Sequence, residues 1–127
     1  MPAASSPPLL DELLGPLHMH FASARAAYRA YLDEGRTFLH ASSLRRINLG
    51  ARALLTGKGW LLPDAMQVHA RALIEHYDIW LTLWEAHAER ARPALADPFA
   101  FENSFTYPRD AEQALESLYQ ELRASVG

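Results

Sequence analysis

The sequence predicts an all-α protein, an antiparallel up-and-down four-helix bundle with an aromatic loop or short hairpin between its third and fourth helices. Three observations predict it. Apolar residues recur at steps of three and four in four separate stretches, the spacing that lays them on one face of a helix. The links between most of those stretches are short and carry Gly or Pro, which favours antiparallel neighbours. One segment, DPFAFENSFTYPR at 97–109, departs from the helical period.

Residues 1–8, MPAASSPP, lack the charged start and apolar run of a secretory signal and are expected to be a disordered tail. Residues 9–127 then make one domain, as their number suggests. Leu9 to Leu14 reads as a separate turn, because Pro16 suits the first turn of the helix that follows. That helix carries Leu17, Phe21, Ala24, Tyr28 and Tyr31 on one stripe, and Gly35 stops it. The second helix runs from Thr37 to about Leu55 and ends at Thr56-Gly57-Lys58-Gly59. The third opens at Pro63-Asp64, where Asp64 and Gln67 have the spacing of a capping box, and Pro93 ends it. The fourth opens at Pro108-Arg109-Asp110, where Asp110 and Gln113 repeat that spacing, and Leu115, Leu118, Tyr119 and Leu122 form its apolar stripe.

Composition narrows the chemistry. Half of the 127 residues are hydrophobic, enough for a core without disulfides or metal. With no Cys, thiol catalysis, CxxC redox chemistry and Cys-ligated zinc are excluded. A net charge of -3 argues against a generally basic nucleic-acid binder. No apolar run approaches the ~18 residues of a membrane span, so a cytoplasmic protein without a membrane partner is expected. Thr56-Gly57-Lys58-Gly59 is no phosphate loop: it lacks the Gly five residues before its Gly-Lys pair and the Ser or Thr after it. No GxSxG or HExxH occurs. His69 and His76 stand about 10.5 Å apart along a helix axis, which is incompatible with two zinc bonds of about 2.0–2.1 Å from one rigid helix. No metal and no cofactor are expected.

Three features remain as candidates. RALIEHYDIWLTLWEAH, residues 71–87, places His69, His76, Leu83 and His87 on one narrow arc beside Leu73, Trp80 and Trp84, with Arg71, Asp78, Glu85 and Glu89 opposite. Leu73, Tyr77, Trp80 and Trp84 are expected in the core. The second feature is charge. No acid occurs between Gly35 and Pro63, where Arg36, Arg45, Arg46, Arg52 and Lys58 stand, whereas residues 64–127 carry eleven acids and five bases. Either these bases pair with acids of the third and fourth helices, or Arg45, Asn48 and Arg52 form a basic face for RNA, nucleotide phosphate or an acidic partner. The third is aromatic. Phe99, Phe101, Phe105 and Tyr107 alternate with smaller or polar residues around Glu102-Asn103-Ser104, a pattern of period two that suggests a small hairpin. It would be a lid on the bundle end or a strand edge that docks a partner.

Arg71-Ala72-Leu73-Ile74-Glu75-His76 has the R-x4-H spacing and, in a helical bundle, resembles the HEPN superfamily. That resemblance implies a homodimer in which Arg71 and His76 of two protomers meet over RNA. His76 would be the general acid/base of 2'-hydroxyl attack on phosphate, and Arg71 would stabilise the charged oxygens. Ala72 departs from the family pattern, in which that position is usually polar, and Arg71 projects about 140° away from His76 on an ideal helix. The longer run from Arg45 to Arg109 resembles small bacterial helical proteins of defence or signalling loci, which implies an accessory role. Together these readings lead to the expectation of a non-catalytic interaction or regulatory subunit with a protein partner. It would make contact through the basic face or through residues 97–108. The alternative is a HEPN-like ribonuclease or nucleotide-binding module.

Overall fold

A computed structural model describes residues 8–126. Pro8 already has helical angles and leads into a wide, π-type turn at Leu9–Leu14, so the expected tail loses its last residue to the fold; residues 1–7 lie outside the described residues. That turn runs directly into α1 (Gly15–Asp33), with Pro16 in the first turn where a missing N–H costs nothing. Gly35 at φ +84° and Arg36 at φ +56° reverse the chain. α2 (Phe38–Lys58) follows, then a tight turn at Gly59–Leu61. A second tight turn at Asp64–Met66 opens α3 (Gln67–Ala91), which ends on Arg92 in a left-handed conformation. α4 spans Arg109–Val126.

The contacts between helices fix their directions. His20 of α1 lies over Gly50 of α2 so closely that a Cβ on Gly50 would fall 2.4 Å from His20 Cε1. Arg45 and Arg52 of α2 pair with Glu85 and Asp78 of α3. Ascending numbers on one helix meet descending numbers on the other, so the two run antiparallel. Arg25 and His18 of α1 pair with Glu112 and Glu116 of α4 at 3.1 and 2.7 Å, again in opposite order. Each helix therefore runs against its neighbours, and the expected up-and-down bundle is the observed one.

Neither expected capping box forms. Gln67 Nε2 turns back to donate to the carbonyls of Gly59, which also accepts from Leu62 N–H, and of Leu62, at 2.9 and 3.1 Å. Gln113 donates to Ser117 on its own helix, and Pro108 O accepts from the amides of Ala111 and Glu112 instead.

The bundle has two cores, because α4 starts late. Tyr107, two residues before α4, packs on His76, the tenth residue of α3. From there downward four helices and the π-type turn enclose Leu13, Leu14, Leu17, Phe21, Leu55, Leu73, Tyr77, Leu115 and Tyr119. Above it only three helices remain, and the link at 92–108 supplies the fourth wall. Its Phe99, 1% exposed, inserts between Phe38 and Trp84 at ring-centre distances of 5.1 and 5.0 Å.

The expected hairpin is absent; the aromatic loop is what forms. The link pairs with the α1–α2 turn, not with itself: Phe99 N–H donates to Arg36 O, Phe38 N–H to Asp97 O, and Leu39 N–H to Leu95 O. A single antiparallel bridge joins Thr37 and Pro98. Once Phe99 is buried by that register, the partner run from Phe105 has no sheet to join, and Asn103 Oδ1 closes a local turn by accepting from Phe105 N–H.

Leu73, Tyr77 and Trp84 are buried as expected, and the Trp84 indole donates to Ala41 O at 3.2 Å. Trp80 lines the upper core from its edge and is only half-buried, packed beside Ala41, Trp84 and Phe99 and meeting Phe101 of the link at 5.9 Å. Tyr28 is 53% exposed and Leu32 39% although both extend the α1 stripe, since α4 does not reach them. Phe99→Ala is expected to destabilise the protein by about 3–5 kcal/mol, the usual cost of truncating a buried aromatic. Urea denaturation measures this, and a loss below about 1 kcal/mol would mean that the upper core does not depend on the link.

Candidate functional site

The His-rich arc of α3 is the wall that faces the link and α4. Its upper part carries His87, whose ring meets Phe99 edge-on at 4.8 Å, and Trp80 against Phe101. Its lower part carries His76, whose ring stands at 87° to that of Tyr107 with centres 4.9 Å apart. His76 Nδ1 is buried and has no hydrogen-bond partner. Burial holds the imidazole below its ordinary pKa, because desolvation disfavours the charged form.

Around Tyr107 a polar chain crosses three helices. The Tyr107 hydroxyl donates to Glu112 Oε1, and Glu112 Oε2 accepts from Arg25 Nη1 of α1 at 3.1 Å. The Tyr77 phenol lies beside Tyr107. Burial, then the neighbouring Tyr77 and the hydrogen bond to Glu112, push the Tyr107 phenol well above its ordinary value. Burial likewise pushes Tyr77 up to about 12. Neither phenol is a base at neutral pH, and the Tyr107 hydroxyl serves as the donor to Glu112.

Outside this chain of contacts lies an open, shallow groove of about 500 Å³. Val68, His69 and Ala72 of α3 form one side, and Thr106 to Ala111 form the other. Its exposed lining is mainly apolar, from Val68, Ala72, Tyr107, Pro108 and Ala111, with His69, Thr106, Arg109 and Asp110 as polar groups at hand. Val68 is 54% exposed, and Trp60, in the turn before α3, is 72% exposed. An apolar groove with a few polar groups, next to residues with perturbed pKa values, is a candidate binding site.

The expected site residues are dispersed. Arg71 is exposed while His76 is half-buried against Tyr107, so the pair does not converge within one chain. Arg45 and Arg52 face α3, where Arg45 Nε donates to Glu85 at 2.6 Å and Arg52 pairs with Asp78. The Arg45 guanidinium also lies 5.2 Å from the Trp84 ring centre. Asn48 is half-buried between them. Of the aromatic set, Phe99 is buried, Phe101 and Tyr107 are half-buried, and Phe105 is 57% exposed. Among the described residues no three His, Asp or Glu side chains are grouped to hold a metal ion, and no helix is long and apolar enough to cross a membrane. Arg25, Tyr77 and Glu112 were missed by the sequence reading. Tyr107 and Glu112 stand five apart across a helix start, a usable signal, but Arg25 is 87 residues from Glu112 and no local pattern joins them.

Compared with protein-family models, with curated proteins and with solved structures, the chain gives no match.

The buried imidazole makes stability pH-dependent. Free histidine titrates near ~6.5, and folded His76 takes its proton only at lower pH. The unfolded chain thus binds more protons in that window, so stability falls on acidification through it. The urea midpoint is expected to drop between about pH 7 and pH 5, and to drop less in His76→Gln. An equal drop in both proteins would show that other groups carry the acid sensitivity.

Proposed function

We propose that the chain is a non-catalytic interaction subunit that binds a protein partner along the groove between the start of α3 and the start of α4. The groove itself is the observation that carries this reading. Its exposed lining is mainly apolar, it is open to solvent, and one of its sides is the end of the link segment put forward from sequence as a contact surface. The competing basic face is occupied internally, since Arg45 and Arg52 already pair with α3 carboxylates. Exposed pairs of this kind contribute only ~0–1 kcal/mol each, but they take up the charge that an RNA backbone would need. A role in a bacterial defence or signalling complex rests on the resemblance given above.

The HEPN-like reading asks for Arg71 and His76 on one accessible surface. His76 stands instead behind Tyr107, and Arg71 is on the outer side of α3. The purified protein is therefore expected to show no His76-dependent RNA cleavage; cleavage by wild type that disappears in a folded His76→Ala variant would put the nuclease reading first.

A photo-crosslinking residue at Ala72, in the groove, is expected to capture one discrete partner in the native cell. The same probe at Ala53, on the exposed face of α2, is expected to capture none, and Val68→Glu should abolish the Ala72 adduct. Equal labelling at both positions would remove the groove as the contact surface.

A further inference from the structure

The side of the groove at Thr106 and Tyr107 is held by a latch with titratable parts. Tyr107 is fixed three ways: its hydroxyl donates to Glu112, the Tyr77 phenol lies beside it, and His76 meets its ring edge-on. We propose that protonation of His76 releases Tyr107 and so reshapes the groove, making this surface sensitive to mild acid. The consequence for binding rests on the groove being the contact surface; the conformational change itself does not.

A neutral imidazole can present a bare lone pair at one nitrogen, whereas imidazolium carries an N–H on both. Protonated His76 would therefore hold a charged donor at Nδ1, where no acceptor is in reach, and an unpaired buried charge is costly. The carboxylate of this network is already engaged: Glu112 Oε1 accepts from Tyr107 and Oε2 from Arg25. His76 can gain an acceptor by moving to that carboxylate, where it competes with Tyr107 for Glu112, or by swinging into water. Displacing Tyr107 breaks the latch directly, and swinging away removes the ring that Tyr107 packs on.

The other charged groups around His76 do not reverse this. Arg25 of α1 opposes protonation and Glu112 of α4 favours it, and the two are paired with each other. Arg109 and Asp110 stand across the groove with opposite signs. On α3 itself, Tyr77 is a raised phenol, His69 lines the groove, and Arg71 and Glu75 are both exposed and opposite in sign. Desolvation sets the direction, so release falls on the acid side of ~6.5.

An NMR titration of the whole chain tests the latch. The His76 ring shift, the Tyr107 ring signals and the protection of the hydrogen-bonded amides of Phe105 and Arg109, the latter donating to Tyr107 O, would be followed from about pH 7.5 to 4.5, a range spanning the histidine window. The His76 and Tyr107 signals are expected to share one midpoint. Protection of those two amides should fall about tenfold beyond the change in intrinsic exchange, while α2 amides keep theirs, as local opening requires. In His76→Phe the Tyr107 titration should vanish; His76→Gln, neutral and polar, serves the same purpose if the Phe variant does not fold. Tyr107→Phe should show the lowered protection already at neutral pH. A Tyr107 signal that stays flat through the His76 titration, or one that titrates unchanged in the His76 variants, overturns the proposal. If the latch titrates but no adduct forms at Ala72 at any pH, the latch stands and the binding role of the groove falls.

Discussion

The late start of α4 is the constraint on which the rest of the structure depends. α3 has 25 residues and α4 has 18, about 37 and 27 Å at 1.5 Å per residue. Because α4 begins beside the tenth residue of α3, more than half of α3 has no fourth helix to pack on. The three upper helices still present aromatic and aliphatic side chains to a common centre, and something must exclude water from them. The link does so with Phe99 and Phe101, and three backbone hydrogen bonds to residues 36–39, with the Tyr31 hydroxyl on Phe99 O, hold it there without a sheet. Two residues in left-handed conformation, Gly35 and Arg36, bring that turn to the link.

The composition of α3 follows from this division. The helix faces an irregular aromatic segment above and the entry of α4 below, so its stripe carries Trp80, Leu83 and three His. Imidazole rings meet aromatic rings edge-on here, His87 with Phe99 and His76 with Tyr107, a geometry in which positive ring edges approach negative ring faces. The crowding of His and Trp in one stretch thus reflects packing, and chemistry enters only where His76 is left with an unpaired buried nitrogen beside a hydroxyl–carboxylate pair.

Charge is segregated along the sequence but not across the structure. The arginines of α2 and the acids of α3 lie on facing edges seven residues apart, so two turns of each helix match. Their contribution is to the register of α2 on α3 more than to stability, since exposed pairs are worth little. α4 is tied to α1 by Arg25–Glu112 and by His18–Glu116, with His18 also stacked on Tyr119 at 4.4 Å. The other oxygen of Glu116 is buried without a partner, so this second tie is only half satisfied.

Periodicity and punctuation in the sequence determined the all-α class, four helices, their approximate ends and their antiparallel order. These are properties of residues within a few positions of one another: Pro16 and Gly35 act on their own turn, and the stripe of Leu17 and Phe21 needs only helical geometry to face inward. The arginines of α2 could be assigned to internal pairs as one of two readings, because opposite charges on adjacent antiparallel helices have few other places to go. Tertiary structure decided the rest. The alternation of Phe99, Phe101, Phe105 and Tyr107 fitted a hairpin equally well, since period two reports only that alternate side chains share a side, and which backbone supplies the hydrogen bonds depends on the distant Arg36 and Phe38. The Asp64 and Asp110 capping signals did not become capping boxes: Gln67 bonds to the carbonyls of Gly59 and Leu62, and Gln113 to the Ser117 hydroxyl. The groove and the Tyr107–Glu112–Arg25 chain were invisible for the same physical reason: each joins elements far apart in sequence, and only the packing of α4 against α1 and α3 brings them within reach.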